Sequence, residues 1–209
     1  MLTRVWAGAV QPEWKVTVKS AAADEPGDRP LADATDESLV AACLEGRRDA
    51  FDIIVERHRR HVYQLCYRFV GNHEDASDLA QDVFIRAYRG LGRFKRQSSL
   101  GTWLYRIGVN VCLNRVAIKT PKPAPLDHDE VLAGNEESPS DALLRGERAK
   151  QVRAAIARLP DKQRATLVLR VYHELPHEQI ADILGSSVGA VKANFFHALK
   201  NLKKLLHDQ

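Results

Sequence analysis

Apolar residues recur every three or four positions along most of this chain, and nowhere do they alternate with the period of two that a strand requires. Leu39, Val40, Cys43 and Leu44 form a first apolar face, with Asp36 as its expected N-cap and Gly46 as its stop. Phe51, Ile54, Val55, Val62, Leu65, Cys66 and Phe69 form a longer one that ends at Gly71-Asn72. The spacing predicts a third helix from about Glu74 to Leu91, a loop over Gly92–Ser99 and a fourth helix over Leu100–Ile118. These elements make a four-helix unit over residues 35–118. Residues 1–34 show no sustained period, and the proline-broken stretch Asp24–Pro30 reads as part of a flexible N-terminal extension.

Beyond Ile118 the pattern breaks. Pro121, Pro123 and Pro125 precede Asp127, Asp129, Glu130, Glu136, Glu137 and Asp141, with no Lys or Arg among those acids. This predicts an extended, acidic, proline-containing linker over residues 119–139. Period returns near Ser140. Leu143, Val152, Ile156 and Leu159 mark one helix, stopped by Pro160. Three more are expected from Asp161 to about His173, from His177 to Leu184 and from Val188 to Leu206. The predicted fold class is all-α, with two small helical domains at 35–118 and 140–207.

Composition narrows the possibilities. The 209 residues carry a net charge of +4, a mild excess that matters only where it clusters. Cys43, Cys66 and Cys112 are widely spaced, odd in number and set among apolar residues. Buried free thiols in a reducing cytosol fit this pattern better than a zinc ribbon or a disulfide framework. The start lacks a signal-peptide pattern, and no run approaches the roughly 20 apolar residues of a membrane span. A soluble, cytoplasmic protein with no membrane insertion is expected.

Charge changes the picture most between Asp75 and Arg115. The segment Asp75–Phe84 carries its charge as carboxylates, whereas Arg86 to Arg115 holds seven Arg or Lys and no acid. Tyr88, Phe94, Trp103 and Tyr105 are interleaved with those cations. Cations that track phosphates, with rings on which unpaired bases stack, suit single-stranded nucleic acid. Phe94 and Trp103 are expected mainly to hold the loop between them. Asp78, Gln81 and Asp82, at i, i+3 and i+4, share one helical face that suits a different, protein partner. That face is also consistent with ordinary solvated carboxylates near a helix N-terminus.

Near the C-terminus, Ala181, Gly185 and Val191 have the spacing of a helix-turn-helix: a small residue at the crossing, a glycine for the turn and a branched anchor. The second helix presents Lys192, Asn194, His197, Lys200, Lys203 and Lys204, and no acid occurs between Ile183 and His207. In such motifs the first turns of the second helix enter the major groove. Lys192 and Asn194 are thus the foremost contacts to bases or phosphates. The string His173-Glu-Leu-Pro-His177 matches the HExxH zinc-protease pattern. That pattern needs one continuous helix, and Pro176 instead opens a new one, so no metal site is assigned.

With these motifs placed, the chain resembles the extracytoplasmic-function (ECF) group of bacterial RNA polymerase sigma factors over about residues 36–206. The resemblance rests on Asp78-Leu-Ala-Gln-Asp-Val-Phe84, Thr102-Trp-Leu-Tyr-Arg-Ile-Gly-Val-Asn110, Leu159-Pro-Asp-Lys-Gln-Arg164, Ile180-Ala-Asp-Ile-Leu-Gly185 and Val188-Gly-Ala-Val-Lys192, in that order. It implies a non-catalytic initiation subunit, without cofactor, whose partners are core RNA polymerase, promoter DNA and an anti-sigma factor. Residues 35–118 would be the region 2-like domain. Asp78, Gln81 and Asp82 would dock on the clamp helices of the largest subunit. Lys95, Arg96, Gln97, Ser98 and Ser99 would capture a base flipped from the −10 element, with Asn110, Asn114 and Arg115 on the single strand. Residues 140–207 would be the region 4-like domain, on the flap of the second subunit. There Lys192, Ala193, Asn194, His197 and Lys200 would read duplex DNA at −35.

Two departures stand out. Pro176 occupies a position where the family usually has Ser or Thr. Ala193, Asn194 and His197 stand where Arg or Ser is common, leaving fewer bidentate guanine contacts and a −35 preference of its own. A stand-alone helix-turn-helix regulator is the rival reading, but it has no need of a docking face followed by a strand-capturing loop.

Overall fold

The computed structural model describes residues 31–118 and 139–207, and every described segment of regular structure is helical. The order is α1 (Asp36–Leu44), α2 (Asp49–Val70), α3 (His73–Gly90), α4 (Leu100–Ile118), α5 (Pro139–Ala157), α6 (Asp161–Val171), α7 (His177–Leu184) and α8 (Val188–His207). Most of the extension and the linker (residues 1–30 and 119–138), together with the side chain of Leu143, lie outside the described residues. Leu31–Asp33 form a short 3-10 turn, and Leu31 and Ala34 pack against the core, so residues 31–34 belong with the first helical half.

The caps explain the boundaries. Thr35, not Asp36, is the N-cap of α1: its Oγ1 accepts the Ser38 amide, and Asp36 becomes the first helical residue. Asn72 caps α3 by accepting the Asp75 amide at 2.8 Å. Ser99 caps α4, its Oγ accepting the Thr102 amide at 3.1 Å. Pro176 precedes α7 with extended backbone and offers no side-chain cap. His173 therefore lies in the turn after α6 and His177 opens α7, so the HExxH string is split between elements.

In the first half α2, α3 and α4 pack on one another and α1 lies against α2. Their core contains Ile54, Leu65, Val83, Leu104 and Val109, each 2 % exposed or less. Gly108 lets α4 lie close against α2: a Cβ there would lie 2.7 Å from Leu65 Cδ2. Cys66 and Cys112 are buried free thiols next to each other between the same two helices, and the hydrogen bond to Cys66, with burial, pushes the Cys112 thiol pKa up. Cys43 is only half-buried, and Leu44 is 53 % exposed rather than part of the α1 apolar face.

In the second half α6, α7 and α8 pack around Leu167, Val168, Leu169, Ile180 and Val191, and α5 lies along α8. Arg164 organises the junction of α5 and α6. Its guanidinium donates to the carbonyls of Ala157 and, at 3.1 Å, Leu159, which α5 leaves without partners at its C-terminus. This is the reason for an arginine five residues after Leu159. The two halves meet where α7 lies against α4 and α6 approaches α2, and the described residues belong to one compact unit.

Candidate nucleic-acid interface

The acidic face is presented to solvent by α3, whose opposite side buries Leu79, Ala80, Val83, Phe84 and Ala87. Asp78 and Gln81 are exposed; Asp82 is half-buried. Asp82 is not a bare carboxylate, because Arg86 one turn later pairs with it at 2.9 Å. Ile85 and Tyr88 extend this surface, 41 % and 51 % exposed, and the Tyr88 ring meets the edge of Phe51 at 4.9 Å between centroids. A partner would thus find alternating charge and apolar area rather than a purely acidic strip.

The loop between α3 and α4 starts with a 3-10 turn at Leu91–Arg93. Lys95, Arg96 and Gln97 are exposed, Ser98 is half-buried and Ser99 is exposed. Arg96 has a φ of 56°, the left-handed region that a residue with a Cβ occupies at some cost. The hydroxyl of Ser99 is engaged as the α4 cap and lies 2.8 Å from Thr102 Oγ1. Phe94 and Trp103 are half-buried and packed on each other, with centroids 5.1 Å apart. Those rings brace the loop from both ends.

Asn110 and Asn114 lie one turn apart on an exposed stripe of α4 that continues from Trp103. Arg115 is turned away from them. Its Nη2 donates to Asp75 Oδ1 at 2.8 Å, joining α4 to the capped start of α3, where Asn72 also donates to Asp75. Arg106, absent from the sequence-derived candidates, stands between Trp103 and Asn110 on the same stripe and is exposed. Its helical spacing, i+3 from Trp103 and i−4 from Asn110, was the available signal.

In the second half the turn is built as the spacing predicted. Gly185 adopts a φ of 57°, and Ser186 donates its amide to Ala181 across the turn at 2.9 Å. Ser187 caps α8, accepting the Ala190 amide at 3.2 Å. Val191 is fully buried, so Lys192, Ala193, His197 and Lys200 face outward, with Asn194 half-buried beside them. The positive potential of the α8 N-terminus adds to that of the lysines, which favours phosphate. No helix among the described residues is long and apolar enough to cross a membrane.

Comparison with known proteins places both halves in known families. The family model described as Sigma-70 region 2 matches residues 54–120, and the one described as Sigma-70, region 4 matches residues 149–202. The chain is 35% identical over 185 residues to the RNA polymerase sigma-H factor of Pseudomonas aeruginosa, covering 84% of this chain and 96% of that protein. It is 36% identical over 178 residues to the ECF RNA polymerase sigma factor SigW of Bacillus subtilis, covering 78% and 92%. Among solved structures, CnrH in complex with the cytosolic domain of CnrY aligns with a TM-score of 0.63 at 25% identity, covering 83% of this chain and 98% of CnrH. The sigma factor RpoE of Bartonella quintana, solved with the anti-sigma factor NepR, aligns with a TM-score of 0.58 at 19% identity over 75% of this chain and 96% of that one, a likeness of fold.

Proposed function

Because this chain belongs to the ECF sigma factors of RNA polymerase, and so serves promoter-specific transcription initiation as an alternative sigma factor, we propose how its surfaces divide that work. Residues 35–118 are the region 2-like domain: Asp78, Gln81 and Asp82 dock on the clamp helices of core polymerase. The exposed loop Lys95–Ser99 takes a base flipped from the −10 element. Flipping costs a few kcal/mol of stacking, which pocket contacts and cations on the displaced strand offset. Asn110 and Asn114 receive that strand. Arg115 contributes through Asp75, holding α4 against α3, as well as through charge.

Residues 140–207 are the region 4-like domain, which sits on the flap and reads duplex DNA at −35 with Lys192, Ala193, Asn194, His197 and Lys200. The protein acts in the cytoplasm, has no catalytic activity of its own, and is held in check by an anti-sigma factor, as NepR accompanies the sigma factor RpoE. The observation that carries this reading is the outward basic face of α8, set by a glycine turn, in a chain whose first half exposes both an acidic helix face and a cationic loop.

Run-off transcription with purified core polymerase, on promoter fragments including the one upstream of this protein's own gene, tests it. Discrete transcripts should appear only when the protein is added. Reversing Asp78 and Asp82 to Lys should abolish co-purification with core polymerase while leaving the helical circular-dichroism signal intact; unchanged association sinks the docking assignment.

A further inference from the structure

Asp75 stands one turn before Asp78 on α3, at i, i+3 and i+7 with Asp78 and Asp82, yet its surroundings differ from theirs. Its side chain is only 18 % exposed, and both of its oxygens are engaged. Oδ1 accepts from Arg115 Nη2 at 2.8 Å, and Oδ2 accepts from Asn72 Nδ2 at 2.8 Å. Asp82 pairs with Arg86 of its own helix, whereas Asp75 reaches across forty positions to α4. We propose that Asp75 is a positioning residue for the −10 strand: by holding Arg115 it fixes the rotation and the C-terminal end of α4, and so the direction in which Asn110 and Asn114 are presented. The inference rests on the sigma-factor reading above and deepens it.

Helix geometry carries the argument. At about 100° per residue, Arg115 lies about 100° around α4 from Asn114 and about 140° from Asn110, on the side that meets α3. Its Nε is buried, so the head group lies along the packed helices and not on the exposed asparagine stripe. α4 is thus held against α3 at two places. Near its start Trp103 packs beside Gly90, where a Cβ would lie 3.5 Å from the indole Cζ2. At its far end Arg115 meets Asp75. One contact alone would leave α4 free to roll or to lift at the other end, and Asn110 and Asn114 lie towards the end that Asp75 holds.

The electrostatics of this end suit an anchor. Asp75 is in the first turn of α3, where the helix dipole favours a negative charge, and Arg115 is in the last turn of α4, where it favours a positive one. The pair is partly withdrawn from water and is therefore less screened than a surface pair. Asn72 fixes the carboxylate further: it accepts the Asp75 amide at 2.8 Å while donating to the side chain of the same residue. Without the charge at Asp75, Arg115 loses this acceptor. The last turn of α4, whose carbonyls have no partners within the helix, then frays more readily, and Asn114 lies just before it.

A double-mutant cycle in the full chain tests this. Asp75→Asn removes the charge at nearly constant size, and Arg115→Gln removes its partner. Hydrogen exchange of amides 110–118 should quicken about tenfold or more in either single variant and no further in the double, with α1 and α2 unchanged as the folding control. With core polymerase, each single variant should give at least about threefold less run-off transcript, and the double no less than the weaker single. Asp75→Asn should still co-purify with core polymerase as the wild type does. Unchanged exchange at 110–118, or losses of transcript that multiply in the double variant, overturn the assignment. Lost co-purification overturns it too, because Asp75 would then be a docking carboxylate. Exchange needs no polymerase, so a wild-type protein that fails to start transcription counts against the sigma-factor reading alone.

Discussion

Arg164 is charged and yet only 5 % exposed, a combination that proteins tolerate when the guanidinium is hydrogen-bonded. Its two acceptors are carbonyls of Ala157 and Leu159, at the end of α5, where the helix has no donors of its own and its dipole is negative. Replacing Arg164 by Ala removes two charge-assisted bonds and strands both carbonyls in a buried place. The expected loss is about 2–4 kcal/mol of unfolding free energy, read by chemical denaturation. Arg164→Lys should recover only part of it, because the shorter lysine side chain does not carry its ammonium as far as Nη2, the one nitrogen that donates to both carbonyls. At the same scale, Gly108 is constrained by the Leu65 methyl 2.7 Å from where a Cβ would stand, and Leu65 is itself fully buried and cannot easily swing aside.

At the scale of elements, α8 combines two duties along one length. Val191 and Ala198 bury it against α6 and α7, and the outward turns carry Lys192, Asn194, His197 and Lys200. Replacing Lys192 and Asn194 by Ala leaves the buried side untouched, so the fold should persist. Initiation that depends on −35 should weaken, with a loss of about 1–3 kcal/mol for a lost base contact and a salt-dependence slope reduced by about 1 for a lost phosphate contact. Filter binding or anisotropy over a salt series separates the two. Unaltered promoter choice would mean that the reading helix has been misassigned. The loop before α4 works differently: the Phe94–Trp103 pair and the Ser99 cap fix its ends, and Arg96 accepts a left-handed backbone between them. A loop anchored so closely presents Lys95 and Gln97 with little ordering left to do on binding.

For the whole molecule, the junction of the halves makes stability depend on pH. Burial, then the nearby charges of His61 and Arg68 on α2, push the His173 pKa from its ordinary 6.5 down to about 4. The Tyr105 hydroxyl on α4 is pushed up to about 12 by burial, so it remains protonated throughout this range. An unfolded chain takes up a proton at His173 near pH 6.5, whereas the packed form resists until about pH 4. The packed form is therefore least disturbed above pH 6.5 and loses stability as pH falls from 6.5 towards 4. Denaturation midpoints over that range should decline more steeply for the wild type than for His173→Gln, the difference being on the order of 2 kcal/mol. Parallel profiles would show that His173 is not desolvated as described.

Periodicity and punctuation by themselves determined the all-helical fold, the eight α-helices among the described residues and the glycine turn before α8. Each depends on residues three to five apart, so the chain's local chemistry suffices. Leu100–Ile118 and His177–Leu184 were readable to the residue. Loop and recognition-helix candidates rest on the same kind of local signal, cations without acids nearby, and stand as proposals. Where a side chain turns depends on partners far along the chain, and there the tertiary structure decided. Arg115 meets Asp75 across forty positions, Arg106 meets the Asp182 carbonyl across seventy-six, and Tyr105 meets His173 across sixty-eight. No pattern within one helix encodes such pairs, because each forms only when packing brings two separately folded faces together and excludes the water that would otherwise satisfy them.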